Sequence, residues 1–125
     1  MNVFRINNSN IIPILPDDCQ VNPNTYGFEL AYWLCSKLAQ KGIIFSYPNH
    51  EDWGWFIEQS DGDRELWLCC KGEFNDNKFQ WSFYLKEKTG LFGRRKYKDH
   101  EVKDLETKII KLFNENNILP IEEID

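Results

Sequence analysis

No apolar run in this chain approaches the roughly 20 residues that carry a helix across a bilayer, so no membrane span is expected. The first residues, Met1-Asn2-Val3-Phe4-Arg5, lack a charged start followed by the apolar core of a leader peptide, so none is expected. Histidine is scarce, with only His50 and His100. Neither a G-x-S-x-G elbow nor a G-x-x-x-x-G-K-[ST] loop is present, which removes the usual settings for a serine nucleophile and a phosphate cradle. The four cysteines, Cys19, Cys35, Cys69 and Cys70, show no CxxC spacing. This argues against a disulfide framework or a zinc site and fits reduced thiols. Cys69 and Cys70 are adjacent in a strand-like run, so they should face opposite ways, one buried and one half-exposed. Positive charge is in deficit: the net charge is −5. That argues against a nucleic-acid partner, whose binders usually carry a basic domain, and suits a protein that meets a basic one.

What is present is aromatic. Five tryptophans and an aromatic share of 15% can fill a substantial core, since each large ring buries roughly 150–250 Å². Residues 1–125 are expected to form one domain. Val3 to Ile6 resembles a short strand, and the rest of the first 25 residues is partly loop, interrupted by Pro13, Pro16 and Pro23. A helix is predicted from Tyr26 to Gln40, capped by Asn24 or Thr25, with Leu30, Leu34 and Leu38 on one stripe and Gly42 just beyond its end. Strands are predicted at Ile43–Tyr47, Trp53–Ser60, Glu65–Lys71 and Lys78–Lys86, with turns at Asp61-Gly62 and Asn75-Asp76-Asn77. In the last strand Phe79, Trp81, Phe83 and Leu85 share one face, and Gln80, Ser82, Tyr84 and Lys86 the wetter one. A second helix, capped by Asp99, is predicted from His100 to Asn116, followed by a loose acidic tail over 118–125. The order describes an α+β two-layer sandwich: a four- to five-stranded, mainly antiparallel meander with two helices on one face.

Two stretches carry chemistry. Glu51-Asp52-Trp53-Gly54-Trp55 sets two carboxylates against two indoles, with Gly54 leaving the backbone open to a close approach. A strand starting at Trp53 would put Trp53, Trp55 and Ile57 on one face. A carboxylate beside an indole can serve as a general acid, or the pair can hold a basic side chain. The structural alternative buries both indoles and leaves the carboxylates on turn amides or in water. His50 adjoins Glu51 and Asp52, yet neighbours in sequence rarely converge on one ion, so no metal site is expected. The second stretch, Gly90 to Lys98, contains Arg94, Arg95, Lys96 and Lys98 around Tyr97. Such a loop can meet phosphates. In an acidic chain a solvated loop pairing with Glu101 or Asp104 is the better reading.

Pro48, Glu51, Asp52, Trp53, Gly54 and Trp55 spell Pro-x-x-Glu-Asp-Trp-Gly-Trp, downstream of Leu30-Ala31-Tyr32-Trp33-Leu34 and Gly42 and upstream of Gly90-Leu91-Phe92 and Arg94-Arg95-Lys96. Over 26–113 this pattern resembles a group of small bacterial proteins of uncharacterised function. The resemblance implies a bacterial, cytoplasmic protein and brings no catalytic residue or cofactor. By looser analogy, acidic α+β domains of this size occur among immunity proteins that neutralise toxins and among secretion chaperones.

The expectation is therefore a non-catalytic protein-binding module, of immunity type, that masks a basic partner through Glu51, Asp52, Trp53 and Trp55. The alternative is a small enzyme that uses Glu51 or Asp52 in a Trp-lined pocket while Arg94 and Arg95 hold an anionic substrate. It requires the two stretches to converge.

Overall fold

Period-two alternation in the middle of the chain and a 3.6-residue stripe on either side dictate two layers. The computed structural model describes residues 2–6, 11–14, 16, 25–89, 91–118 and 121–124. In chain order these form β1 (Val3–Ile6), α1 (Phe28–Gln40), β2 (Asn49–Glu51), β3 (Gly54–Asp61), β4 (Arg64–Asn75), β5 (Lys78–Lys88), a 3-10 turn (Leu91–Gly93), α2 (Asp99–Glu115) and β6 (Ile121–Glu123). Six strands make one sheet, ordered β2-β3-β4-β5-β1-β6. Every neighbouring pair is antiparallel.

Both helices pack on one face, as expected. Leu30, Leu34 and Leu38 of α1 and Ile109, Leu112 and Phe113 of α2 meet Ile57, Leu68, Trp81 and Phe83 of the sheet in one buried cluster. Burying each such side chain contributes about 1.5–3 kcal/mol before entropy is counted. Trp33 stacks on Phe113 with centroids 5.1 Å apart, which joins the two helices. The end of α1 is a Schellman motif around Gly42 (φ +80), with the Gly42 N–H donating to the Ala39 carbonyl and the Ile43 N–H to that of Leu38. Asp76 and Asn77, with φ of 51° and 65°, form the tight turn between β4 and β5. Two positive φ values match the twist of the strands they join.

The structure departs from the sequence reading at several element boundaries. α1 begins at Phe28, because Tyr26 is paired with Gly72 of β4 by two backbone hydrogen bonds, 2.8 and 2.7 Å. The proposed caps divide: Thr25 precedes Tyr26 outside the helix, and Asn24 lies outside the described residues. Ile43–Tyr47 is not a strand. Ile43 is spent on the helix end, and only Ser46 joins β3: its N–H donates to the Glu58 carbonyl and its Oγ accepts from the Glu58 N–H. The hydroxyl stands in for a ladder carbonyl, and pairing starts properly only after Pro48. α2 begins at Asp99, so the N-cap position falls on Lys98. Finally, the tail is partly ordered in β6, which pairs with β1; together with β2, also unforeseen, it more than replaces the lost 43–47 strand and brings the count to six.

Candidate functional site

β2 and β3 pair as Asn49↔Phe56, His50↔Trp55 and Glu51↔Gly54. Asp52 and Trp53 are thus the two residues of a tight hairpin turn, and the alternation restarts at Gly54. This overturns the expectation that Trp53 and Trp55 share a face. Trp55 points toward the helices, 9% exposed, with ring centroids 5.2 Å from Phe28 and 5.4 Å from His50. Its indole N–H is enclosed and has no hydrogen-bond partner among the described residues. Trp53 lies on the opposite face, 6.4 Å from the Phe56 ring and 6.1 Å from that of Tyr84. Glu51 and Asp52 are exposed beside it. The close approach at Gly54 is internal: a Cβ there would stand 2.7 Å from the Cys70 carbonyl oxygen, and φ is +156°. Gly27 meets the same oxygen, with a Cβ that would lie 2.5 Å away.

The face of the sheet turned away from the helices carries more aromatic surface than the motif alone suggested. The register Phe56↔Cys69↔Tyr84 runs across three strands, and Trp53 bridges the two outer rings of that row. Trp67 stacks on Phe56 at 3.8 Å and 9°, its N–H donates to Glu58 Oε2 at 3.1 Å, and Lys88 Nζ stands 4.7 Å from its centroid. Cys69, beneath these rings, is fully buried, as is Cys70 on the helix side. The half-exposed thiol expected for this pair is therefore absent. Desolvation pushes the Cys69 thiol up to about 12, despite a hydrogen bond with Tyr84 that favours the thiolate. A thiol protonated at neutral pH is a poor nucleophile. This face was findable in principle, because Phe56 and Trp67 sit at outward positions of strands whose inward positions were already apolar.

The basic loop is tied down locally. Arg95 bonds Glu87 at 2.7 Å and Asp99 at 2.6 Å. Glu87 also accepts the backbone N–H groups of Lys96 and Tyr97. Burial raises the Glu87 pKa, but these donors outweigh it and hold the carboxyl below its ordinary value. Lys96 pairs with Asp63, and Arg64 with Asp61 and Glu101. Of the two acids expected to meet this loop, Glu101 accepts the Lys98 backbone N–H at 3.0 Å, while the loop's side-chain ion pairs go to Glu87, Asp99 and Asp63. Arg94 is exposed, with no ion-pair partner among the described residues. Glu87 lies in register with Leu66, and Leu66 with Gln59. Gln59 is five residues from Gly54, roughly 16 Å along the strand. Glu51 and Asp52 therefore do not share a site with Arg94 and Arg95, and the pocket required by the enzyme reading is not assembled.

Both histidines are exposed. Among the described residues no group of three or more His, Cys, Asp or Glu side chains is arranged to hold a metal ion. No helix among them is long and apolar enough to cross a membrane. No family model, curated protein sequence or solved structure matches the chain.

Proposed function

We propose that the chain is a non-catalytic protein-binding module that contacts a basic partner through the β2–β3 hairpin tip and the adjoining open face of the sheet. One observation carries this reading: the exposed carboxylates of Glu51 and Asp52 border the half-exposed Trp53, and Trp53 continues across the buried Phe56 ring to the half-exposed Trp67 and Tyr84. Half-exposed tryptophan supplies rigid contact area of the kind that dominates binding energy. Flanking carboxylates and a net charge of −5 speed association with a cationic surface. Trp55 supports the hairpin from within and Arg95 belongs to the loop's own ion pairs, so neither is part of the proposed contact. A bacterial, cytoplasmic immunity-type protein masking a basic toxin is the most concrete form of the proposal, supported by the Pro-x-x-Glu-Asp-Trp-Gly-Trp resemblance and the acidity.

The test is affinity capture from bacterial lysate, followed by kinetics with the purified captured protein. Glu51→Ala/Asp52→Ala should weaken binding about tenfold or more, chiefly in the association rate, with unfolding temperature unchanged. Equal binding by the variant, or its failure to fold, would reject the proposal.

A further inference from the structure

We infer that a second site, the cleft between the end of β5 and the first turns of α2, binds an alkylammonium group through Glu106. β1 begins at Val3 opposite Tyr84, so among the described residues no strand pairs with positions 85–88 of β5 on that side. The resulting notch, overhung by α2, is an open cleft of about 400 Å³. Leu66, Leu85 and Val102 line it with apolar surface.

Glu106 lines the same cleft and is only 7% exposed. Its Oε1 accepts from Asn2 Nδ2 at 3.3 Å. Its Oε2 has no hydrogen-bond or ion-pair partner among the described residues and is not wholly sealed from solvent. The neighbouring charges are already engaged: Glu87 is saturated by Arg95 and two backbone N–H groups, and Asp99 is bonded to Arg95. Lys86 and Lys103 also line the cleft, but both are exposed to solvent and neither pairs with Glu106. Glu106 thus offers one carboxylate oxygen in weakly screened surroundings, where a cation is held more firmly than in water. A single free oxygen suits the point charge of an ammonium, whereas a guanidinium fork prefers two. The apolar lining accommodates the methylene chain behind that charge.

The ammonium can come from a free diamine or from a lysine side chain of another protein. Two probes separate these sources: 1,5-diaminopentane and Nα-acetyl-lysine methylamide, titrated into the ¹⁵N-labelled full chain. Saturable amide shifts at Thr89, Val102 and Glu106, with Kd near about 1 mM or below, are expected. A response to the diamine alone identifies a small amine; a response to both identifies the lysine side chain. Glu106→Gln should weaken binding at least about tenfold, and Thr89→Arg, which crowds the mouth without touching the core, should abolish it. Glu51→Ala/Asp52→Ala should bind the probes unchanged, because this site does not rest on the hairpin reading. Absence of saturable shifts up to about 10 mM, equal binding by Glu106→Gln, or tighter binding of Nα-acetyl-arginine methylamide would overturn the assignment.

Discussion

Gly54 shows how one residue decides the geometry of the whole motif. A side chain there meets the Cys70 carbonyl at 2.7 Å while the backbone sits at φ +156°. Because the obstacle is main chain within the sheet, it cannot swing away. Gly54→Ala should lose about 2–4 kcal/mol, from strain and overpacking together. Urea denaturation will read this as a lower midpoint at unchanged slope, and a full-stability variant would refute the account. Glu51→Ala, three residues away and exposed, should cost little. The motif's chemistry was legible from residue types alone, and so was the importance of a bare backbone at Gly54. What it faces was not legible, because the contact comes from β4, sixteen residues downstream. The assignment of Trp53 and Trp55 to one face failed for a related reason. Period-two reasoning holds only inside a strand, and Trp53 belongs to the turn.

At the scale of elements, local periodicity predicted well wherever one face is buried against helices. The inward row Phe79, Trp81, Phe83 and Leu85 was correct, and both helices were found within two residues of their ends. The short pieces carry no such signal, since β2, β6 and the Ser46 contact exist only because a neighbouring strand offers its edge. Such elements have almost no propensity of their own. Turn chemistry supplies a sharp check on the longest hairpin. Asn77 sits at φ 65°, where glycine is free of the Cβ penalty. Asn77→Gly should therefore preserve or raise stability by up to about 0.5 kcal/mol, whereas a β-branched Val should lower it by about 1–2 kcal/mol. Thermal unfolding of the two variants measures the difference, and the opposite ordering would contradict the turn assignment. A second check concerns the loop into α2. Glu87→Ala leaves the Lys96 and Tyr97 N–H groups and Arg95 without their shared acceptor. It should cost about 2–3 kcal/mol, while Arg94→Ala, on an exposed side chain, should cost nothing measurable.

For the molecule as a whole, the titrating groups define a window of stability with a separate cause on each side. On the acid side, Glu101 is held below its ordinary value of 4.5, first by the Lys98 N–H and then by Arg64. Lys96 lowers Asp63 similarly, and the donors around Glu87 outweigh its burial. A depressed carboxyl contributes stability above its unfolded value and loses it as pH falls through the folded one. Unfolding temperature should therefore be level near neutrality and decline below about pH 4.5. On the alkaline side the cause is the core. Burial pushes Cys69 up to about 12 and raises Cys70 well above its ordinary 9.0. A raised thiol contributes stability that is complete below the unfolded value and lost as pH climbs toward the folded one. The unfolded chain ionises its thiols above about pH 9 while the folded chain keeps them protonated, so stability should fall from pH 9 upward. Replacing both residues, as Cys69→Ala/Cys70→Ala, should lower the neutral plateau by opening small cavities and flatten the alkaline limb, leaving the acid limb untouched. Glu87→Gln should flatten part of the acid limb only. If the alkaline slope survived removal of both thiols, the buried sulfurs would not be its source. The decline would then fall to Cys35, whose thiol burial also raises, and to the tyrosines, whose hydroxyls at Tyr84 and Tyr97 are raised likewise.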